Sequence, residues 1–548
     1  MIGRYLAVCS ALVLLSSTLA CGDDVVHQAP DDDDGTGAGG IGGTGPGAGG
    51  TGGEVPGPQA IESLTAPTET TVALELAEDA GEAASLLESW TIDSDYGSVA
   101  VEGVTVGPDG RSVELTTSPQ KLGVSYTLHY ATGDEALEGD FLAADTARFW
   151  HSDFASPNFE QVELVATRVE VGPRSVIYVQ QGESMSNAAA ISDHFEQDVY
   201  PIETAMFTEA PDRDDNGRIV LLGVDGKGAF GGYFNPIDTL DDEMTFQQWG
   251  YHSNEKEMLY LNTENGFVQA ADVVVPHEMS HLLYQEIHPS LFEDWPYHNE
   301  GLAECAVNAV NGAHSYALDV YIGDPLGDLA NGVSLVQWEY GNYSQYVQAY
   351  VFWSYVAGQM DGVGSYADLM HQHGHPNSMQ SYLQQQLGKS FSEAQLSALV
   401  ATWAQHPSGE HSFNGLLSFP GKPKVASSAS LSLSPFAGVF AVPGPGTIDY
   451  PGTQGPDIVY AGIDGAGNVD VTAPFEVGGG VLVALNTAFE VDAPAVQPIG
   501  LIPSQSQNGQ PQSVDAQALT RTRAWLHPPP FNPEHLDRMH AWRSLTRR

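Results

Sequence analysis

The chain has 548 residues, of which 70 are Asp or Glu and 19 are Lys or Arg, so its formal net charge is −51 with histidine neutral. This excess of acid argues against nucleic acid and anionic membrane surfaces as partners, because both are bound through cationic patches. The hydrophobic content of 42% excludes a wholly disordered acidic chain, and the length predicts several domains.

Residues 1–21 have the features of a secretory signal peptide. Arg4 precedes a short apolar stretch that ends in small residues before Cys21. The run Leu19-Ala20-Cys21-Gly22 resembles a bacterial lipobox, although Thr18 stands where an aliphatic residue is usual, and ordinary cleavage nearby is the alternative. We therefore expect an extracellular or bacterial cell-surface protein, anchored to the outer membrane through a lipid on Cys21 and touching the membrane only there.

Residues 22–58 are rich in Asp and Gly and predict a flexible linker, because they hold too few apolar side chains to bury a core. Residues 59–150 predict an all-β module, in which Gly and Pro turns separate segments rich in Val, Thr and Tyr. These segments are Ser98–Val106, Ser112–Thr117 and Val124–Tyr130. Their spacing indicates a small β-sandwich, and Val113–Leu128 resembles bacterial immunoglobulin-like modules.

Residues 151–415 mix strands with long helical stretches and predict an α+β domain. The expected strands are Ser175–Gln180, Arg218–Val224 and Met258–Asn262, with a helix or two across Met185–Met206. The later helices are expected at 273–286, 300–311, 343–360 and 378–403.

Residues 416–520 return to short strands with Gly and Pro turns, which predicts a C-terminal β-rich domain. Residues 521–548 form a basic tail with six arginines against Glu534 and Asp537. No role follows from its composition. The chain is thus expected to be multidomain, with an α+β domain flanked by all-β modules.

The segment Val273–Glu286 contains His277-Glu278-Met-Ser-His281, an H-E-x-x-H motif on a predicted helix. Histidines four residues apart share one helix face, so both imidazoles can bind one metal. Neutral histidine is a good zinc ligand, and Glu278 is placed to act as a base on a metal-bound water. The motif predicts a Zn²⁺ site. Pro276 lacks a helix donor, so the helix either starts close to it or kinks there.

Glu300 follows His281 after eighteen intervening residues and can supply a third zinc ligand. Glu304 lies one turn later on the same helix face. It either hydrogen-bonds the far nitrogen of a ligand histidine or is a solvated carboxylate. H-E-x-x-H with Glu at this distance is the pattern of gluzincin metallopeptidases. Three further segments resemble the hyicolysin-type neutral zinc metallopeptidase family: Gly232–Phe234, Ser253–Leu261 and Tyr346–Phe352.

The resemblance covers about residues 175–365 and implies a gluzincin-like zinc-metallopeptidase catalytic domain. It also implies that Tyr346 stabilises the oxyanion, in competition with Tyr297, Tyr343 and Tyr350. A strand before the active helix lies beside the substrate in such enzymes. Met258–Leu261 is therefore either an exposed edge that binds an extended peptide or a plain core strand.

Several other residues are of types that could bind metal or act in catalysis, but we do not expect these roles for them. Cys305, the one cysteine left after Cys9 and Cys21, is expected to pack as a small buried hydrophobe. His288 and His298 are expected to face solvent. His371, His373 and His375 are expected to form an exposed tract rather than a second metal site.

Asp212, Asp214 and Asn216, followed by Gly217, match the first half of a calcium-binding loop. The twelfth position is Gly223 instead of Glu. The segment is therefore either a Ca²⁺ site or a simple Asn-Gly turn into the next strand.

These patterns predict a secreted or surface-anchored zinc endopeptidase that acts on protein or peptide substrates. In this prediction His277, His281 and Glu300 hold Zn²⁺ and Glu278 is the general base. The main alternative is a catalytically silent metallopeptidase-like adhesin or scaffold, which the flanking β modules would suit. An aminopeptidase would need an extra group for the substrate amine, and the sequence shows no motif of that kind.

Overall fold

The computed structural model describes residues 60–488, apart from gaps at 80, 133–134, 155, 157–159, 265–270, 290–294, 340–341, 427–431, 443–452, 455–456 and 472–479. The predicted signal peptide with Cys21, the linker at 22–58 and the basic tail at 521–548 lie outside the described residues. So do residues 489–520 of the predicted C-terminal domain. No described helix combines the length and hydropathy needed to cross a lipid bilayer.

The N-terminal module is built from two antiparallel sheets that face each other. One has the order β1-β2-β5-β4 and the other β3-β6-β7. Alternating apolar side chains of both sheets meet in one core, where the rings of Trp90 and Tyr130 lie 4.4 Å apart. A β-sandwich is therefore present, as predicted. Its strands are β1 Ile61–Thr68, β2 Thr71–Leu76, β3 Trp90–Asp93, β4 Val101–Val106, β5 Ser112–Thr117, β6 Ser125–Thr132 and β7 Glu135–Leu142.

A second set of strands, with the order β12-β13-β11-β10-β9-β8, supports the helices. They are β8 Thr146–Asp153, β9 Glu160–Val171, β10 Ser175–Gln180, β11 Ile219–Val224, β12 Gly232–Phe234 and β13 Met258–Asn262. β1 meets β8 in the parallel pair Thr68–Thr146, which joins both sets into one ten-stranded sheet. The boundary predicted at residue 150 falls inside β8, whereas the buried side chains of the sandwich core end at Ala143.

The helices follow mainly after β13. They are α1 Ala188–His194, α2 Tyr200–Met206, α3 Asp242–Trp249, α4 Ala271–Ile287, α5 Pro296–Asn311, α6 Ser315–Gly323, α7 Tyr343–Gln359, α8 Ser365–Met370, α9 Pro376–Leu387 and α10 Phe391–Ala404. The single helix predicted over 378–403 is two helices. Gly388 ends α9 in a left-handed conformation with φ 67°, and Ser390 begins α10 with a capping box to Glu393.

Pro276 lies inside α4, so the helix does not start at it. A proline donates no hydrogen bond to the carbonyl four residues earlier, here that of Asp272. Asn311 Nδ2 donates to this carbonyl at 2.7 Å, and His194 Nε2 lies 3.3 Å from it. The packing of α4 against α5 and α1 thus replaces the missing intrahelical bond.

The C-terminal part returns to β structure. Its strands are β14 Gly438–Ala441, β15 Thr453–Gln454, β16 Ile458–Ile463, β17 Val469–Asp470 and β18 Val481–Asn486. They form an antiparallel sheet with the order β14-β18-β16-β15, in which β17 also pairs with β16. Leu399 and Val400 of α10 pack into its core. The predicted architecture, an α+β region with β modules on both sides, is confirmed at this level.

Candidate metal centre

α4 and α5 bring three donor side chains to one buried point. His277 Nε2 and His281 Nε2 each lie 3.3 Å from Glu300 Oε2. Their side chains are 7%, 3% and 2% exposed, respectively. The two histidines are one turn apart on α4, and Glu300 reaches them from α5. The three residues that the sequence predicted as metal ligands are therefore together in space.

Close packing of α5 against α7 places Glu300. A Cβ atom on Gly301 would lie 2.6 Å from Trp353 Cδ1 and 2.7 Å from Ala349 Cβ, so only glycine fits this approach. Trp353 Nε1 also donates to the Tyr297 carbonyl at 2.8 Å in the first turn of α5. Contacts on both sides of Glu300 therefore fix the helix that carries it.

The Nδ1 atoms of His277 and His281 face polar partners. His281 Nδ1 lies 2.9 Å from Asn299 Oδ1. Glu304 is buried, not solvated, and its Oε1 lies 3.8 Å from His277 Nδ1. Its other oxygen lies 2.8 Å from His314 Nδ1, just before α6. The Asn299 contact is within hydrogen-bond distance and can fix the orientation and tautomer of His281, whereas Glu304 faces His277 at a longer distance.

Glu278 lies beside the three donor residues and is 3% exposed. Burial raises the pKa of its carboxyl group to about 7, against the opposing effect of His277 and His281. The carboxylate accepts the backbone N–H of Phe234 in β12, and Oε2 has no hydrogen-bond partner among the described residues. A carboxyl group that titrates near neutrality is suited to take up and return a proton.

The donor side chains attract positive charge. Burial lowers the pKa of His281, but the nearby Glu300 carboxylate outweighs burial, with help from Glu278 and Asn299, and the pKa rises to about 9. The buried carboxylates therefore favour a cation at this point, either a proton on the imidazole or a metal ion.

Two of the three tyrosines that compete with Tyr346 make structural hydrogen bonds. The Tyr346 ring lies 6.4 Å from the His277 ring, packed against Trp338. The Tyr297 hydroxyl donates to the Gly374 carbonyl, and the Tyr350 hydroxyl to Asn308 Oδ1. The hydroxyls of those two competitors thus serve structural contacts. Tyr343 is buried with its ring 5.9 Å from that of Tyr346, and it stays a competitor.

Two expectations about surface histidines are wrong. His298 is fully buried, with Nδ1 3.2 Å from the Tyr284 hydroxyl and Nε2 3.0 Å from the Leu369 carbonyl. Burial lowers its pKa to about 3. His288 is half-buried, and its Nε2 lies 2.8 Å from the Met370 carbonyl. His288, directly after α4, and His298, in α5, therefore tie these two helices to the C-terminal end of α8.

Of the two alternatives for Met258–Leu261, the structure shows the core strand. β13 lies inside the sheet between β11 and β12, so Met258–Leu261 is a core strand. Gly232–Phe234 of β12 forms the edge, antiparallel to β13. Cys305 is buried as predicted. His371 and His373 are exposed, as predicted, and His375 caps α9.

The sequence reasoning missed Asn299 and His314. Asn299 is adjacent to Glu300, so its position in the chain could have indicated a role at the site. His314 lies beyond the end of α5 in the chain, and no spacing rule links it to the motif. The predicted calcium residues Asp212, Asp214 and Asn216 lie on a separate loop before β11.

Comparisons with known proteins do not assign a family. No protein-family model matches the chain, and no curated protein matches it. The N-terminal part of the bacterial S-layer protein SbsC matches at 14% identity over 17% of this chain and 26% of that chain, with a TM-score of 0.15. Domains 1–6 of SbsC match at 16% identity over 21% of this chain and 18% of that chain, also with a TM-score of 0.15. This chain spans about a quarter of the first of these structures, and similarity at this level carries no argument.

Proposed function

We propose that the protein is a zinc-dependent endopeptidase of the gluzincin type, similar to the hyicolysin-type neutral metallopeptidases. The observation that carries the proposal is the convergence of His277, His281 and Glu300 with Glu278 beside them. Two imidazoles and a carboxylate form the donor set of catalytic zinc sites that keep a fourth position open.

The spacing of the donor atoms fits this metal. Ligand atoms at the usual zinc distances and a tetrahedral angle are separated by about 3.3 Å. Both histidine nitrogens lie 3.3 Å from Glu300 Oε2. When bound, zinc would polarise the scissile carbonyl and acidify the attacking water.

Glu278 would perform the proton transfers. Its carboxylate takes a proton from the attacking water and delivers it to the amine that leaves when the peptide bond breaks. Burial favours the protonated form of this carboxyl group, which helps it to take up the proton from the water. Tyr346 is the candidate to stabilise the developing oxyanion.

β12 offers a binding mode for the substrate. It is the edge strand of the described sheet, and its Phe234 N–H bonds the Glu278 carboxylate. An extended peptide that pairs with such an edge receives main-chain hydrogen bonds whatever its side chains are. This mode suits an endopeptidase that acts within a chain, at the cell surface or outside the cell.

The alternative function is that of a catalytically silent adhesin or scaffold. It would have no need for a buried carboxylate beside the donor residues, because an unpaired buried carboxyl group costs stability. The presence of Glu278 therefore supports the catalytic alternative, although the flanking β modules suit either function.

The test is zinc content together with casein hydrolysis by the purified protein, with and without a chelator. We expect one equivalent of zinc, and cleavage that the chelator abolishes and added zinc restores. Glu278→Gln should keep zinc and lose cleavage. Glu286→Gln is the matched control, because this residue lies on α4 but pairs with Arg213 at the surface. Wild-type protein without zinc or cleavage, or full hydrolysis by Glu278→Gln, would overturn the proposal.

A further inference from the structure

A second cluster of carboxylates lies away from the metal centre. The loop that carries Asp212 and Asp214 leads into β11, and Glu257 directly precedes β13. β11 and β13 are parallel neighbours, with Val220 opposite Met258, so the starts of both strands lie side by side. Carboxylate oxygens of Asp212, Asp214 and Glu257 consequently lie within 4.8 Å of one another.

Glu257 is the unusual member of this cluster. It is only 1% exposed, and its Oε2 has no hydrogen-bond partner among the described residues. Its Oε1 accepts the backbone N–H of Arg213 at 2.8 Å. A buried carboxylate oxygen without a donor is costly, so this arrangement indicates a positively charged ligand.

The basic residues nearby offset only part of the charge. Lys256 Nζ lies 3.8 Å from Asp214 Oδ2. The Arg213 guanidinium is directed to Glu286 at 2.9 Å, and Lys121 lies nearer to Asp215, which is outside the cluster. Three carboxylates beside one ammonium group leave an excess of negative charge at this place, which a bound cation would offset.

We propose that Asp212, Asp214 and Glu257 bind a calcium ion. An all-oxygen, carboxylate-rich donor set selects a hard cation, and Ca²⁺ accepts irregular protein cages that Mg²⁺ does not. The loop resembles the first half of a calcium loop, whose acidic twelfth ligand is replaced here by Gly223. Glu257 from the neighbouring strand supplies the carboxylate that this position lacks.

Asn216 contributes mainly to the shape of the loop. Its Nδ2 donates to Asp214 Oδ2 at 2.9 Å, and its Oδ1 accepts the Arg218 N–H at 2.5 Å. Asp215 and Gly217 both have positive φ, at 53° and 68°, which turns the chain around the two aspartates. Calcium would therefore join this loop to the start of β13.

The test uses the purified full chain in calcium-free buffer, with its zinc content measured, titrated with CaCl₂ in a calorimeter and melted with and without calcium. We expect one equivalent of calcium to bind and the melting temperature to rise by about 3 °C. Glu257→Gln and the more exposed Asp212→Asn should each weaken binding at least tenfold. Using both variants covers the case in which the buried substitution prevents folding.

Asp215→Asn is the matched control. It removes one charge from the same loop, but its side chain is 85% exposed and lies outside the cluster. It should bind calcium as the wild type does. No calcium binding by the wild type, an equal response to MgCl₂, wild-type affinity in both cluster variants, or equal weakening by Asp215→Asn would overturn the assignment.

Discussion

Glu304 connects two histidines through its two oxygens: Oε2 lies 2.8 Å from His314 Nδ1, and Oε1 lies 3.8 Å from His277 Nδ1. All three side chains are buried. His314 thus holds the carboxylate that faces the far nitrogen of a candidate zinc ligand. This contact extends the candidate metal centre from α4 and α5 to the residue that precedes α6.

His314→Ala should weaken zinc binding about tenfold, because Glu304 loses the donor that orients it toward His277. His314→Gln keeps an N–H donor and should retain most of the affinity. The measurement is zinc competition against a chromogenic chelator. His371→Ala, at an exposed histidine, should match the wild type. Equal zinc affinity in the wild type and His314→Ala would show that His314 has only a packing role and does not support zinc binding.

Gly301→Ala should lower the stability of the α5–α7 contact by roughly 1–3 kcal/mol, because the added methyl group overlaps Trp353 and Ala349. Since Gly301 follows Glu300, zinc affinity should fall as well. Gly323→Ala at the end of α6 is the control, because a Cβ there meets no atom within 4 Å. Thermal melting of both variants checks the prediction, and equal melting temperatures would contradict it.

His151 should make stability depend on pH in the acid range. Burial lowers its pKa from 6.5 to about 4, and Nδ1 lies 2.8 Å from the Tyr233 hydroxyl. As pH falls from 6.5 to 4, the unfolded chain binds a proton here and the folded chain does not. The free energy of unfolding should therefore fall, by about 3 kcal/mol from this residue.

His151→Gln should remove this part of the pH dependence while keeping a partner for the Tyr233 hydroxyl. Urea unfolding at both ends of that pH range measures the difference. His371→Gln, at an exposed site, should keep the wild-type slope. An unchanged slope in His151→Gln would show that the buried imidazole is not the source.

Local patterns predicted several strands of the fold at their observed bounds. β5, β10 and β13 match their expected bounds, because alternation and turn residues act within a few positions. The helix break at Gly388 was missed because the apolar periodicity continues across it. β8 and β9 were not predicted either, although their pairing joins the sandwich to the rest of the sheet.

The sequence alone determined which residues can form the metal centre. The spacing of His277 and His281 places them on one helix face, and the spacing to Glu300 matched a known pattern. Only the tertiary structure decided which residues support them. His314, the edge strand β12 and Glu257 reach their sites through contacts between elements that are distant in the chain. Helix periodicity is a local property of the sequence. The convergence of side chains from different elements depends on how those elements pack against one another.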